Sequence, residues 1–178
     1  MTDTIKFLKV RDVKSPSRAN EYDAGIDFYV PEFTKEFIKD LRAKNSYVLC
    51  NKDGDIQITD NIQINPHQKI LIPSGIYCQM ASPHRALIAA NKSGVASKLG
   101  LIFGAQVVDS SYQGEIHINL INTTDYPVII TPGMKIIQFL EMPIYTSNIE
   151  IFENMQLKEF YEKETTRGPG GFGSTDHK

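Results

Sequence analysis

From residue 62 to residue 145 the chain is a succession of short β-type runs with turn residues between them. This pattern constrains the fold more than any other feature. The stretch "IQINPHQKILIPSGIYCQM" (62–80) alternates apolar and polar residues and is broken at Pro66 and at Pro73-Ser74-Gly75. The runs "ALIAA", "AQVVD", "EIHINLIN", "YPVII" and "KIIQFLEMPIY" follow at short spacing, with turn signals at Pro83, Gly100, Gly104, Asn122 to Asp125 and Pro132-Gly133. An earlier run, "IKFLKV", opens at residue 5. Many short strands with frequent turns predict an all-β sandwich or barrel. A doubly wound nucleotide fold is disfavoured, because it needs helices alternating with the strands.

One segment departs from this pattern. In "FTKEFIKDLRAK" (33–44) apolar residues stand at 33, 37, 38 and 41, which share one helical face. Thr34 is placed to cap it, although Phe37 three residues on precludes a capping box. "NKDGD" (51–55) then reads as a turn. Residues 32–61 are therefore read as an excursion from a β body that spans 1–146. Residues 147–166 carry five glutamates and two lysines and read as an extended arm. Such an arm suits a neighbouring subunit. The last stretch, 167–178, opens "RGPGGFGST" and has a composition that cannot hold a core; its glycines predict mobility without a ligand.

Bulk properties exclude some classes. At 178 residues one domain is expected, large enough to bury a core without staples. The net charge of -2 gives no global basic field, so direct nucleic-acid binding is not expected and any phosphate site must be local. Cys50 and Cys78 fit no CxxC pattern and read as reduced thiols. "MTDTIKFLKV" is neither a signal peptide nor a membrane span, so a cytoplasmic protein is expected, of the host cell if the source is viral.

Several groups are candidates for chemistry. In "NKSGVASKLG" (91–100) the Ser93-Gly94 turn before a helix-like run either cradles an anion or simply starts a surface helix. In "GAQVVDSSYQGE" (104–115) Asp109 ends an apolar strand beside Tyr112. It reads either as a water-activating base or as a turn residue bonding its own backbone. Asp27, on the apolar run "AGIDFYV" (24–30), demands a partner, be it an ion pair, backbone amides or a hydrated metal. In "PGMKIIQFL" (132–140) strict alternation puts Lys135 and Gln138 on opposite strand faces. His67, His84, His117 and His177 make no metal spacing and no nucleophilic triad.

Taken in order, "AGIDFYV", "NKSGVASKLG", "GAQVVDSSYQGE", "PGMKIIQFL" and "RGPGGFGST" resemble the five motifs of the trimeric all-β dUTPases, the dUTP diphosphatases. The resemblance spans residues 24–175; only the 32–61 excursion lies largely outside it. It implies a distorted jelly-roll β barrel with a C-terminal arm, to which the 32–61 excursion with its helix candidate is a small insertion, and a homotrimer whose three active sites are shared between subunits. It implies Mg2+-dependent hydrolysis of dUTP to dUMP and pyrophosphate, by water attack on the α-phosphorus.

Residue by residue, Asp109 resembles the family's general base and Tyr112 the tyrosine that packs under deoxyribose. Such a ring leaves no room for a 2′-hydroxyl. Main-chain groups of the 104–115 hairpin, Gly104, Val108 and Glu115 among them, resemble those that read uracil. Lys92, Ser93, Gly94 and Gln138 match the positions along the phosphates. Arg167, Phe172, Gly173, Ser174 and Thr175 match the closing tail. Asp27 matches the acidic residue that neighbours magnesium through water, the ion itself held mainly by substrate phosphates. The chain departs from the family pattern at Asn91-Lys92 (usually Pro-Arg), Gln106, Lys135 (usually Arg), Pro169 and Asp176.

Two rival readings stand beside this one. A dCTP deaminase, alone or bifunctional, shares the fold, but "SGVASK" lacks the arginine which that chemistry needs. A trimeric regulatory protein is the other, with a protein partner bound through 32–61.

Overall fold

The computed structural model of the chain describes residues 4–45 and 60–161, with 163, 165, 166, 168 and 169. The turn read at 51–55, Cys50 and the tail residues Arg167, Phe172, Gly173, Ser174 and Thr175 lie outside the described residues. Two compact units divide the chain, Met1–Tyr145 and Thr146–Lys178.

In the first unit the elements run β1 (Lys6–Lys9), β2 (Gly25–Tyr29), α1 (Lys35–Lys44), β3 (Ile62–Ile64), β4 (Lys69–Pro73), β5 (Ile76–Gln79) and β6 (Arg85–Ala90). They continue with α2 (Ser93–Leu99), β7 (Leu101–Phe103), β8 (Val107–Asp109), β9 (His117–Asn122), β10 (Val128–Ile130) and β11 (Lys135–Pro143). The strands form four antiparallel sheets, ordered β1-β5, β10-β3, β2-β11-β6-β8 and β4-β9-β7.

This corrects the expected all-β jelly-roll barrel. Among the described residues no sheet closes on itself, and with its helices the fold is mixed α/β. The reason lies in the turns that made the strands legible. Pro73 has no N–H to donate and ends β4, and the Ser74-Gly75 step passes the chain into a different sheet. Closure needs ladders that run on from strand to strand; here they stop at such breaks.

The core is rich in isoleucine and phenylalanine. In β9 Ile118, Leu120 and Asn122 are buried while His117, Asn119 and Ile121 are partly exposed, the two-residue period of a strand with one covered face. Asn122 is buried yet satisfied: its Nδ2 donates to the Ile64, Asn65 and Tyr126 carbonyls at 3.0, 3.2 and 2.9 Å.

Helix α1 is no appendage. Phe33, Phe37, Ile38 and Leu41 all lie in the main core, and the Phe33 and Phe37 rings stack with centroids 5.3 Å apart. The Thr34 hydroxyl caps the helix by accepting from the Phe37 amide at 3.1 Å. Beyond its last turn, buried Asn45 acts as a substitute strand. Its Nδ2 donates to the Leu41 and Leu71 carbonyls at 2.7 and 2.8 Å, and its Oδ1 accepts from the Leu71 amide at 2.8 Å. Among the described residues Leu71 lies on the edge strand of its sheet, β4, so one side-chain amide satisfies both main-chain groups that a neighbouring strand would have paired. The excursion read at 32–61 thus begins as part of the body.

In the second unit the predicted extended arm carries one helical turn, α3 (Leu157–Phe160). Its apolar side chains are exposed: Ile149, Ile151, Phe152, Leu157 and Phe160 all face solvent in the single chain. Among the described residues no helix is long and apolar enough to cross a membrane.

Candidate active site

Strand β11 lies between β2 and β6, and this placement assembles a polar cluster. Gln138 stands opposite Asp27 on one side and Ala90 on the other. Asp27 is 3% exposed, on a strand whose other residues are apolar or glycine except Tyr29. Its two carboxylate oxygens face two ammonium groups: Lys92 Nζ bonds Oδ1, and Lys135 Nζ lies 2.9 Å from Oδ2. Burial by itself raises the Asp27 pKa; the two lysines outweigh it and hold the carboxyl below the usual carboxylate range. Lys92 and Lys135 outnumber the Asp27 carboxylate by one charge, and Asp23, which lines the adjoining cavity, brings a second carboxylate to the neighbourhood.

Lys135 and Gln138 therefore share a side, contrary to strict alternation. The register of β11 against β2 shifts between Lys135 and Ile137. This bulge lets the consecutive Ile136 and Ile137 both turn inward, each 1% exposed, and returns Gln138 to the side of Lys135. Two successive apolar residues inside an alternating run were the only sign of it in the sequence.

Gln138 extends across Gly25. A Cβ on Gly25 would collide with the Gln138 side chain, so only glycine admits this approach. The Gln138 Nε2 donates to the Asn91 carbonyl at 2.8 Å, which ties β11 to the loop before α2. Gly25, Asp27, Lys92 and Gln138, with Asp23 and Leu140, line a cavity of ≈ 250 Å³. Beside it α2 starts at Ser93, and a Cβ on Gly94 would meet nothing within 4 Å. Among the described residues no side chain caps the leading amides of α2, and the Ser93 hydroxyl and the Lys92 ammonium, itself bonded to Asp27, lie in the same stretch. Of the departures from the family pattern, Asn91 has a local role: its Oδ1 accepts from the Phe103 amide at 3.0 Å. Gln106 contributes its carbonyl, which accepts from the Ala89 amide at 2.7 Å.

The hairpin that carries Asp109 is held by the opposite edge of β6. Asp109 pairs with Ala86, whereas Gln138 pairs with Ala90. Four residues of strand separate those partners, about 13 Å along β6. Asp109 is exposed, and its carboxylate has no hydrogen bond or ion pair among the described residues. The turn after it is closed by main-chain atoms, the Tyr112 amide donating to the Asp109 carbonyl at 3.1 Å. The aspartate side chain is thus not spent on its own backbone.

Tyr112, 45% exposed, donates its hydroxyl to the Glu115 carbonyl at 3.0 Å. Its ring lies so close over Gly114 that any Cβ there would strike it. The Glu115 carboxylate is largely buried. Arg11 grips it with two bonds, Nε to Oε1 at 2.7 Å and an Nη to Oε2 at 2.9 Å, and the Gly75 amide donates to Oε1 at 2.6 Å. Desolvation raises the Glu115 pKa, but Arg11 and the Gly75 amide hold it below the usual range. Gly104 and Val108 flank the hairpin; the Gly104 amide donates to the Asn119 carbonyl at 2.9 Å, and a Cβ on Gly104 would collide with the Asn119 side chain. Arg11 was missed at the level of sequence, because nothing local links residue 11 to residue 115.

The family model for dUTPase matches residues 54–176. The chain belongs to the dUTPase family. It is 34% identical over 125 residues to the deoxyuridine 5'-triphosphate nucleotidohydrolase of Legionella pneumophila (strain Paris), covering 69% of this chain and 78% of that one. Its fold is similar to that of the Staphylococcus bacteriophage 80alpha dUTPase solved with dUPNHPP, with a TM-score of 0.72 at 20% identity, covering 98% of this chain and 99% of that one. A point mutant of the dUTPase from phage phi11 of S. aureus, solved with a structural Mg(II) ion, has a TM-score of 0.64 at 17% identity, covering 86% of this chain and 99% of that one. The family activity is hydrolysis of a dUTP-like nucleotide.

Among the described residues the dUTPase fold here contains no group of three or more His, Cys, Asp or Glu able to hold a metal. Asp27, buried and engaged by two lysines, does not fit a protein-held magnesium. Cys78 is a free thiol that burial, aided by the charge of Glu141, pushes up to about 11, out of reach of nucleophilic use near neutral pH.

Proposed function

We propose that the protein hydrolyses dUTP to dUMP and pyrophosphate, with water attacking the α-phosphorus and Asp109 as general base. The observation that carries this reading is the unspent Asp109 carboxylate, exposed beside Tyr112 on a hairpin fixed by main-chain bonds. Removing a proton from an attacking water needs a carboxylate with an accepting oxygen within hydrogen-bond reach of that water, and an exposed, unpaired carboxylate offers one. Tyr112, held over Gly114, is the surface on which deoxyribose rests and which a ribose 2′-hydroxyl would strike. Gly104, Val108 and Glu115 offer uracil their main-chain groups.

Lys92, Ser93, Gly94 and Gln138 bind the phosphates. The Lys92 and Lys135 ammonium groups offset part of the triphosphate's charge, about four negative charges near neutral pH. Lysine in place of the family's arginine keeps that charge and loses the two-pronged geometry. Mg2+ enters this proposal as part of the substrate, bound to its phosphates. Arg167, Phe172, Gly173, Ser174 and Thr175 close over the nucleotide.

The separation of about 13 Å along β6 favours a shared site. One chain supplies the cluster around Asp27 and another the Asp109 hairpin. A homotrimer satisfies this, with the exposed apolar side chains of 147–166 packed on a neighbour. The domain reading keeps 1–146 as the body, 147–166 as the arm and 167–178 as the closing tail.

The test is pyrophosphate release from dUTP, dCTP, dTTP and UTP, with and without Mg2+. Selective turnover of dUTP is expected. Ammonia release from dCTP would favour the deaminase reading, and comparable turnover of UTP would remove the role given to Tyr112.

A further inference from the structure

Arg11 stands where three separate parts of the chain meet. Its guanidinium makes two bonds to Glu115 at 2.7 and 2.9 Å, and a third, at 2.7 Å, to Asp40 on α1. The Arg11 and Glu115 side chains are 15% and 11% exposed, while Asp40 is 41% exposed. The contact is prepared by Gly75, at φ +74°, where a Cβ would collide with the Arg11 stem. The Gly75 amide completes the shell of the Glu115 carboxylate, and the Gly75 carbonyl accepts from the Val10 amide at 2.9 Å. Arginine suits the position because its planar fork matches a carboxylate at two points.

This grip reaches the Tyr112 surface through one residue. The Glu115 carbonyl accepts the Tyr112 hydroxyl at 3.0 Å and His117 Nδ1 at 2.8 Å. Its carboxylate is the end that Arg11 holds. The Glu115 carbonyl shares its peptide plane with the Ile116 amide, which donates to the Ile76 carbonyl at 2.9 Å; the Arg11 and Gly75 bonds to the carboxylate hold the residue's other end, so the two together seat the residue whose carbonyl anchors the tyrosine. We propose that Arg11 is a positioning residue for sugar discrimination: it sets Tyr112 through Glu115, and Asp40 couples α1 to the same residue. The proposal rests on the role given to Tyr112 above. A partly buried carboxylate deprived of its arginine draws in water or a proton, and the hairpin turn loosens.

The experiment compares Arg11→Ala, Arg11→Lys, Asp40→Asn and Tyr112→Phe in the full-length protein, with kcat and KM measured for dUTP and UTP. Hydrogen exchange of the amides at 109–117 is followed in parallel. Arg11→Ala is expected to cut the preference for dUTP over UTP about tenfold, mostly through KM, with kcat for dUTP within about threefold of the parent. Arg11→Lys should restore part of that preference, and Asp40→Asn should lower it about twofold, since Glu115 keeps its own bonds. Combining Arg11→Ala with Tyr112→Phe should add little to either change alone, because both act on one contact. Faster exchange at 112–117 should accompany each Arg11 variant.

An Arg11→Ala protein that is less stable but keeps its dUTP:UTP ratio and its exchange pattern would overturn the proposal, and so would full additivity with Tyr112→Phe. Failure of the parent to hydrolyse dUTP is a separate outcome. It removes the proposed function, while the exchange data still decide whether Arg11 orders the hairpin.

Discussion

Asn45 offers a sharp test of how α1 is joined to the β body. Replacing it with alanine removes three hydrogen bonds, to the Leu41 carbonyl and to the amide and carbonyl of Leu71. A net value of about 1 kcal/mol per bond gives a loss of about 3 kcal/mol. Among the described residues β4 is a sheet edge, and none of their strands pairs with the Leu71 groups in place of Asn45. For a chain of this size that loss lowers Tm by about 6–12 °C. The assay is urea unfolding followed by far-ultraviolet circular dichroism, at one fixed protein concentration so that assembly does not confuse the comparison. Asn45→Asp keeps the acceptor for the Leu71 amide but loses both donated bonds and buries an acid, so it should be at least as damaging. A loss below about 1 kcal/mol for Asn45→Ala would refute the substitute-strand reasoning.

Four further outcomes are expected. Asp109→Asn should lower kcat for dUTP by about 10²- to 10⁴-fold with little change in KM; near-normal turnover would end its role as base. Gly25→Ala should displace Gln138 from the Asn91 carbonyl and raise KM for dUTP about tenfold, and an unaltered KM would show that Gln138 does not serve the phosphates. Asp27 and Glu115 both titrate below their unfolded values, so the stability they contribute is fully present above about pH 4.5 and is lost as the pH falls through their folded values. Asp27→Asn should therefore flatten the acid limb of a stability-versus-pH curve, measured between about pH 2 and 7, and an unchanged limb would deny the linkage. Truncation after Thr166 should abolish hydrolysis and leave assembly, read by sedimentation, intact; full activity in the truncated protein would return 167–178 to an ordinary tail.

The motifs from which the candidate site was read are local. Ser93-Gly94 before α2 and Asp109 at the end of β8 beside Tyr112 each need only a few neighbouring residues. The helix at α1 was legible for the same reason, since Phe33, Phe37, Ile38 and Leu41 fall on one face of a short stretch. The barrel was misjudged because closure depends on ladders between strands far apart in sequence. The opposite faces assigned to Lys135 and Gln138 failed on a single bulge. Arg11 gave no signal, as its partners are 29 and 104 residues away.

By itself, then, the sequence determined the family, the run of short strands, one amphipathic helix and a net charge that offers nucleic acid no basic field. Those properties follow from residue type and spacing along the chain. Tertiary structure alone decided that Asp27 is neutralised by two lysines, that α1 belongs to the core, and that Glu115 turns to Arg11 while its carbonyl holds Tyr112. Each of these depends on where burial strips water from a charge or a main-chain group, and burial is a property of the packed chain.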